Sequence, residues 1–76
     1  MTVSSPIIYD PSTDSMYITL REGRVVHTIV HDDRDFAVDI GESGEPIGYD
    51  IQFASRNPEV IAEALTLLRR DVRHAA

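Results

Sequence analysis

Three stretches of strict alternation constrain this chain more than any other feature. Met16, Ile18 and Leu20 alternate with Tyr17, Thr19 and Arg21; Phe36, Val38 and Ile40 alternate with Ala37 and Asp39. Ile47, Tyr49, Ile51 and Phe53 alternate with Gly48, Asp50 and Gln52. A period of two puts successive side chains on opposite faces of a strand, so each stretch has one apolar and one polar face. Strands of this kind need a sheet covered on one side. A hairpin that keeps the apolar residues of the last two stretches on one face turns near Ser43-Gly44. It pairs Ile40 with Ile47, Val38 with Tyr49 and Phe36 with Ile51. Pro46 has no N–H and belongs at a strand start or on an edge.

The remaining segments fit around this frame. Ile7-Ile8-Tyr9 favours a strand, and Asp10-Pro11-Ser12-Thr13-Asp14 is rich in turn formers. Gly23 closes the second strand. Val25 to His31 is β-favouring throughout, with Val26, Thr28 and Val30 on one face and Val25, His27 and Ile29 on the other. Asp32-Asp33-Arg34-Asp35 forms a charged turn. Asn57-Pro58-Glu59 opens a helix with a capping residue, a proline and an acid in the first turn. Val60, Ile61, Ala64, Leu65, Leu68 and Val72 then form an apolar stripe, with Leu67 off its centre. Arg69, Arg70 and Arg73 complement the negative end of the helix dipole. The expected architecture is α+β: a four- to five-stranded antiparallel meander sheet with one C-terminal helix packed on it. It forms one domain over residues 1–76, strand-rich over 6–53 and helical over 57–73, with residues 1–5 frayed.

Seventy-six residues with no cysteine leave no disulfide, thiolate nucleophile or cysteine-bound zinc to support a small core. Oligomerisation is one way to supply the missing stability. No apolar run approaches membrane-spanning length and no signal-peptide pattern opens the chain, so a cytoplasmic protein without membrane contact is expected. The net charge is −6, and it is uneven: residues 1–53 carry a net −7 and residues 54–76 a net +1. An acidic body repels phosphate backbones, which argues against nucleic acid and favours a basic protein partner.

Tyr9-Asp10 followed by Asp14-Ser15-Met16-Tyr17-Ile18-Thr19-Leu20, then Val38-Asp39, Gly44 and Gly48-Tyr49-Asp50-Ile51, resembles the bacterial and archaeal family known as domain of unknown function 2283. The resemblance spans about residues 7 to 55, and its marked positions are Tyr9, Asp10, Asp14, Tyr17, Asp39, Gly48 and Asp50. Gly41 stands where the family often has an acid, Pro46 where it has a β-branched residue, Tyr49 where it has an aliphatic one and Asp50 where it has glutamate. The resemblance implies a small strand-rich α+β domain and supplies no catalytic residues. Some relatives are encoded beside a small toxin-like protein, which implies an antitoxin-like partner role.

The acids, histidines and serines are the side chains that could carry chemistry. Asp10 and Asp14 are read as accepting local backbone N–H bonds in their turn. Asp39 and Asp50 share the polar hairpin face as diagonal neighbours, roughly 7–8 Å apart at the backbone. His27 and His31 have helical metal-ligand spacing, but on a strand their backbones lie about 13 Å apart. The calcium-loop pattern fails at Ala37, and neither Ser12 nor Ser15 has a histidine nearby in sequence. The expected function is a non-catalytic protein-interaction module without cofactor. It is a homo-oligomer and the antitoxin-like partner of a small basic protein. The alternative is a divalent-metal protein or enzyme using Asp10, Asp14, Asp39 and Asp50.

Overall fold

All three alternating stretches enter one sheet in the computed structural model, which describes residues 6–75 and side-chain surroundings through residue 70. The strands are β1 (Ile7–Asp10), β2 (Ser15–Thr19), β3 (His27–His31), β4 (Phe36–Ile40) and β5 (Pro46–Ile51), followed by helix α1 (Pro58–Ala75). Short 3₁₀ turns occupy Asp32–Arg34 and Ala54–Arg56. The sheet order is β1-β2-β5-β4-β3, and every neighbouring pair is antiparallel. This is the expected α+β class with five strands and one C-terminal helix. The order is sequential within β1–β2 and within β3–β4–β5, but β2 joins the sheet beside β5 rather than β3. Leu20 N–H continues that pairing beyond the strand by donating to the Ile47 carbonyl at 2.9 Å.

Register explains the core. Ile18 lies opposite Tyr49, Met16 opposite Ile51, Tyr49 opposite Val38 and Ile51 opposite Phe36. All therefore share one face, and α1 rests on it with Val60 and Ala64 fully buried. Ile61, Leu65, Leu67 and Leu68 pack partly against the same cluster. Burying a side chain the size of Ile18 or Ile51 contributes ~1.5–3 kcal/mol, so this single layer dominates stability. Tyr49 also pins the helix, since its hydroxyl donates to Glu63 Oε2 at 2.7 Å. Burial, then that hydrogen bond, raises the Tyr49 pKa above its usual value.

Four expectations need correction. Two hairpin pairs hold, Phe36–Ile51 and Val38–Tyr49, but Ile40 faces Pro46 rather than Ile47 because of an irregularity between Asp39 and Ile40. There the turn closes through Gly41 N–H to Glu45 O at 2.9 Å, and Gly44 takes a left-handed φ of 83°. Phe53 does not extend the apolar face of β5. It has φ 50° and is 49% exposed, because the chain turns into the 3₁₀ segment as soon as Ala54 N–H reaches the Asp14 carbonyl at 2.8 Å. Asn57 precedes α1 as expected, but its side-chain amide donates backward to the Gln52 carbonyl at 2.9 Å instead of accepting from the helix. The third strand starts at His27, although Val26 N–H still reaches the Ile40 carbonyl at 2.9 Å. Residues 1–5 and the side chains of Val72 and Arg73 lie outside the described residues.

Candidate functional site

The sheet face opposite α1 holds most of the marked positions. Tyr17 on β2 sits opposite Asp50 on β5, and the next pair on that face is Thr19 with Gly48. The Tyr17 side chain does not stand up from the sheet. It crosses β5 over Gly48, and its hydroxyl donates to Asp39 Oδ2 on β4 at 2.6 Å. A Cβ at Gly48 would overlap the Tyr17 phenol, so the crossing needs a residue without a side chain there. Thr28 on β3 completes the ladder by donating its hydroxyl to Asp39 Oδ1 at 2.7 Å. One carboxylate thus links β2, β4 and β3 across four strands of the sheet.

This arrangement assigns chemical states. Burial, followed by the hydrogen bond to Asp39 and the charges of Asp39 and Asp50, raises the Tyr17 pKa. Tyr17 is therefore a protonated donor near neutrality and not a general base. Asp39 has both oxygens engaged. Asp50 is its diagonal neighbour as expected, but it is exposed and accepts only a 3.2 Å bond from Gln52 Nε2 among the hydrogen bonds seen.

Asp10 and Asp14 do different work from each other. Asp10 Oδ1 accepts from Ser12 N at 2.9 Å and Ser12 Oγ at 2.6 Å, closing a local turn. The Ser12 hydroxyl bond leads in holding its pKa below the ordinary value. Asp14 is not a local turn acceptor. Its left-handed φ of 56° turns the carboxylate toward the β5–α1 connection, where it accepts from Ser55 Oγ at 2.7 Å and Ser55 N at 3.1 Å. The Tyr9 hydroxyl donates to the same carboxylate at 2.8 Å. The Ser55 hydroxyl bond is the largest cause of its lowered pKa, with Tyr9 next. The hydrogen bond that Tyr9 donates to Asp14 raises the Tyr9 pKa in turn.

The four acids therefore split into a turn lock, a long-range clamp, a sheet ladder and one carboxylate, Asp50, with a single long hydrogen bond among those seen. Among the described residues, no three histidine, aspartate or glutamate side chains converge as ligands for a metal ion. His27 and His31 mark the two ends of β3, and His31 stacks on Phe36 at a ring separation of 4.5 Å. Ser12 is held by Asp10, and Ser15 Oγ meets Gln52 Oε1 at 3.3 Å.

One feature of this face escaped sequence reasoning. Val30, Asp32, Asp35, Phe36, Ala37, Asp50 and Gln52 line an open depression of about 150 Å³ beside Asp50. Its lining includes three acids, two from the β3–β4 turn and one from β5. Arg34, the cation of that turn, lies elsewhere, with its guanidinium 5.3 Å from the Phe36 ring centre and 4.0 Å from Glu63. The charged turn was visible in the sequence. Its approach to Asp50 depends on pairing Ala37 with Asp50, two residues beyond the turn.

A family model for proteins of unknown function, DUF2283, matches residues 7–55. The chain belongs to this family. No curated protein and no solved structure matches it. The DUF2283 segment covers all five strands and ends at Ser55, the residue that closes on Asp14. Helix α1 follows the matched segment. Tyr49, inside the matched segment, supplies the hydrogen bond to Glu63 of that helix. Among the described residues, no helix is long and apolar enough to cross a membrane.

Proposed function

We propose that this DUF2283 domain is a non-catalytic, cytoplasmic interaction module that docks a small basic protein on the open sheet face, in the manner of an antitoxin-like partner. The observation that carries this reading is the depression where exposed Val30 lies beside Asp32, Asp35 and Asp50. A lining that combines apolar and acidic side chains suits a partner side chain that has an aliphatic stem and a cationic head. Arginine and lysine have that form. The net charge of −6 would speed encounter with a basic partner and make the association rate fall with salt. Asp39, the neighbouring carboxylate of the face, already serves the fold through Tyr17 and Thr28, and Asp14 in the β1–β2 turn is engaged by Ser55 and Tyr9.

The test is affinity capture from the native host with the wild-type domain and with Asp50→Lys as parallel baits. The reading expects a small basic protein with the wild type, recovered poorly with the variant and released by raised salt. Recovery that ignores charge reversal, or no protein above background, would overturn it. Circular dichroism of the variant controls for folding, since Asp50 is exposed.

A further inference from the structure

We infer that the β3 edge pairs antiparallel with the β3 edge of a second copy of this chain, about a two-fold axis at Ile29. The inference goes beyond the heterologous partner proposed above and does not depend on it.

The two sheet edges differ. Edge strand β1 has four residues and is flanked by Pro6 and Pro11, which protect an edge from further pairing. Edge strand β3 has no proline, lysine or acid between Val25 and His31. Five of those seven residues are β-branched. Val25, Val26 and Ile29 are each 45% exposed and Val30 is 61% exposed. This apolar run shows side chains on both faces at the rim of an otherwise acidic domain. An unprotected edge of this composition is a template for strand addition.

The backbone direction identifies the occupant. Gln52 N–H donates to Asp35 O at 2.8 Å, so Asp35, Ala37 and Asp39 direct their peptide groups toward β5. Phe36, Val38 and Ile40 then face β3, consistent with the bond from Val26 N–H to Ile40 O. Their partners His31, Ile29 and His27 are the inward-bonded residues of β3. Alternation turns the N–H and C=O groups of Thr28 and Val30 away from β4, toward the outside of the sheet. Two such outward residues flanking Ile29 are self-complementary. With the axis at Ile29, Thr28 exchanges two hydrogen bonds with the partner's Val30, and symmetry repeats the exchange. Four bonds form and the two sheets become one.

Side chains and charge agree with this register. Ile29 meets the partner's Ile29 as a non-hydrogen-bonded pair, covering apolar surface on the α1 side of the sheet. On the other face Val30 meets the partner's Thr28. The acidic β3–β4 turns fall at opposite ends of the joined strands, roughly 20 Å apart along their direction. That separation exceeds the ~8 Å screening length at physiological salt, so the like charges of the two copies do not prevent contact. The patch itself carries no formal charge with its histidines neutral.

The experiment combines sedimentation with a designed crosslink. Wild-type protein is expected to sediment at twice the chain mass at high micromolar concentration and to dissociate on dilution. Val30→Pro removes one outward N–H per copy without taking a bond from β4. It is expected to weaken the dimer about thirtyfold, as loss of two ordinary hydrogen bonds would. Ile29→Cys introduces a lone cysteine into a cysteine-free chain. Across a non-hydrogen-bonded pair the Cα atoms lie about 4.5 Å apart, within disulfide range. Mild oxidation should therefore crosslink it much faster than Glu42→Cys in the exposed β4–β5 turn. A wild-type monomer at all concentrations overturns the inference. So does a dimer unaffected by Val30→Pro, or an Ile29→Cys variant that crosslinks no faster than the turn control. Partner capture in the preceding test can succeed or fail independently of each result.

Discussion

Gly48→Ala isolates the feature that joins the marked positions into one unit. The backbone at Gly48 is ordinary extended strand, absent from the positive-φ residues, so alanine meets no conformational penalty there. On propensity alone, replacing glycine inside a strand stabilises by ~0.5–1 kcal/mol. The structure reverses that sign. The new methyl group occupies the position of the Tyr17 phenol, so the ring has to leave its path across β5. It then loses the 2.6 Å hydrogen bond to Asp39. A bond to a charged acceptor contributes ~1.5–3 kcal/mol, and residual overpacking adds ~1 kcal/mol. Subtracting the propensity gain leaves a net destabilisation of about 2 kcal/mol, which in a domain this size lowers Tm by roughly 8–16 °C.

A double-mutant cycle followed by urea denaturation and thermal melting checks the mechanism. In a Tyr17→Ala background the space over Gly48 is empty, so Gly48→Ala should become neutral or stabilise by up to ~1 kcal/mol. The coupling between the two positions should therefore be about 2–3 kcal/mol. Equal costs of Gly48→Ala in both backgrounds would refute the reasoning, because the penalty would then arise from something other than the crossing ring.

Three further outcomes follow from the hydrogen bonds. Tyr49→Phe removes the bond to Glu63 while keeping the buried ring; it should cost about 1.5 kcal/mol, the low end for a charged acceptor because Glu63 is partly exposed, and speed amide exchange in the first turns of α1. The pKa values of Asp10 and Asp14 are lower in the folded chain than in the unfolded one. Their contribution is therefore present above the unfolded value of about 3.9 and disappears as pH falls through the folded values. Asp14→Asn should flatten the acid limb of a stability–pH curve and raise the exchange rate of the Ser55 amide. Tyr17 and Tyr49 have raised pKa values, so their contribution is complete below about pH 10 and is lost as pH rises through the folded values. The double variant Tyr17→Phe/Tyr49→Phe should lose less stability between pH 9 and 11 (roughly the window of an ordinary tyrosine) than the wild type does.

What could be read from the sequence was set by how local the cause was. Alternation is a property of neighbouring residues, so the strands Ser15–Thr19 and Phe36–Ile40 and the pairs Phe36–Ile51 and Val38–Tyr49 were legible. The same rule misled at Phe53, where alternation continues past a strand stopped by Asp14 and Asn57. It also misplaced Ile40, because a one-residue irregularity leaves no trace in a hydrophobic pattern. The candidate site was half legible. Tyr17, Asp39 and Asp50 could be placed on one polar face from the period of two. That Tyr17 lies flat over Gly48 depends on the β2–β5 pairing, which joins strands distant in sequence. Asp14 illustrates the same limit. Its turn was evident, whereas its clamp on Ser55 spans 41 positions.

This division bears on where function can reside in the domain. Tyr9, Asp10, Asp14, Tyr17, Asp39 and Gly48 each have an identified structural task, met by a named neighbour inside the matched segment. These interactions shape the β1–β2 turn, clamp it to the end of β5 and brace the open face from β2 to β3. Tyr17, Asp39 and Gly48 lie on the face away from α1. Tyr9 is opposite Met16 on the α1 side and lies near Ile61, and Tyr49 ties the helix to that side. The segment thus contains the means to brace one defined surface, the face away from the helix. Asp50 is the marked residue left with least structural work, and it lies in the depression with Asp32 and Asp35. Substituting the braced residues should alter stability and binding together, whereas substituting Asp50 should alter binding with little effect on stability. A calorimetric melt alongside the capture experiment makes that separation measurable.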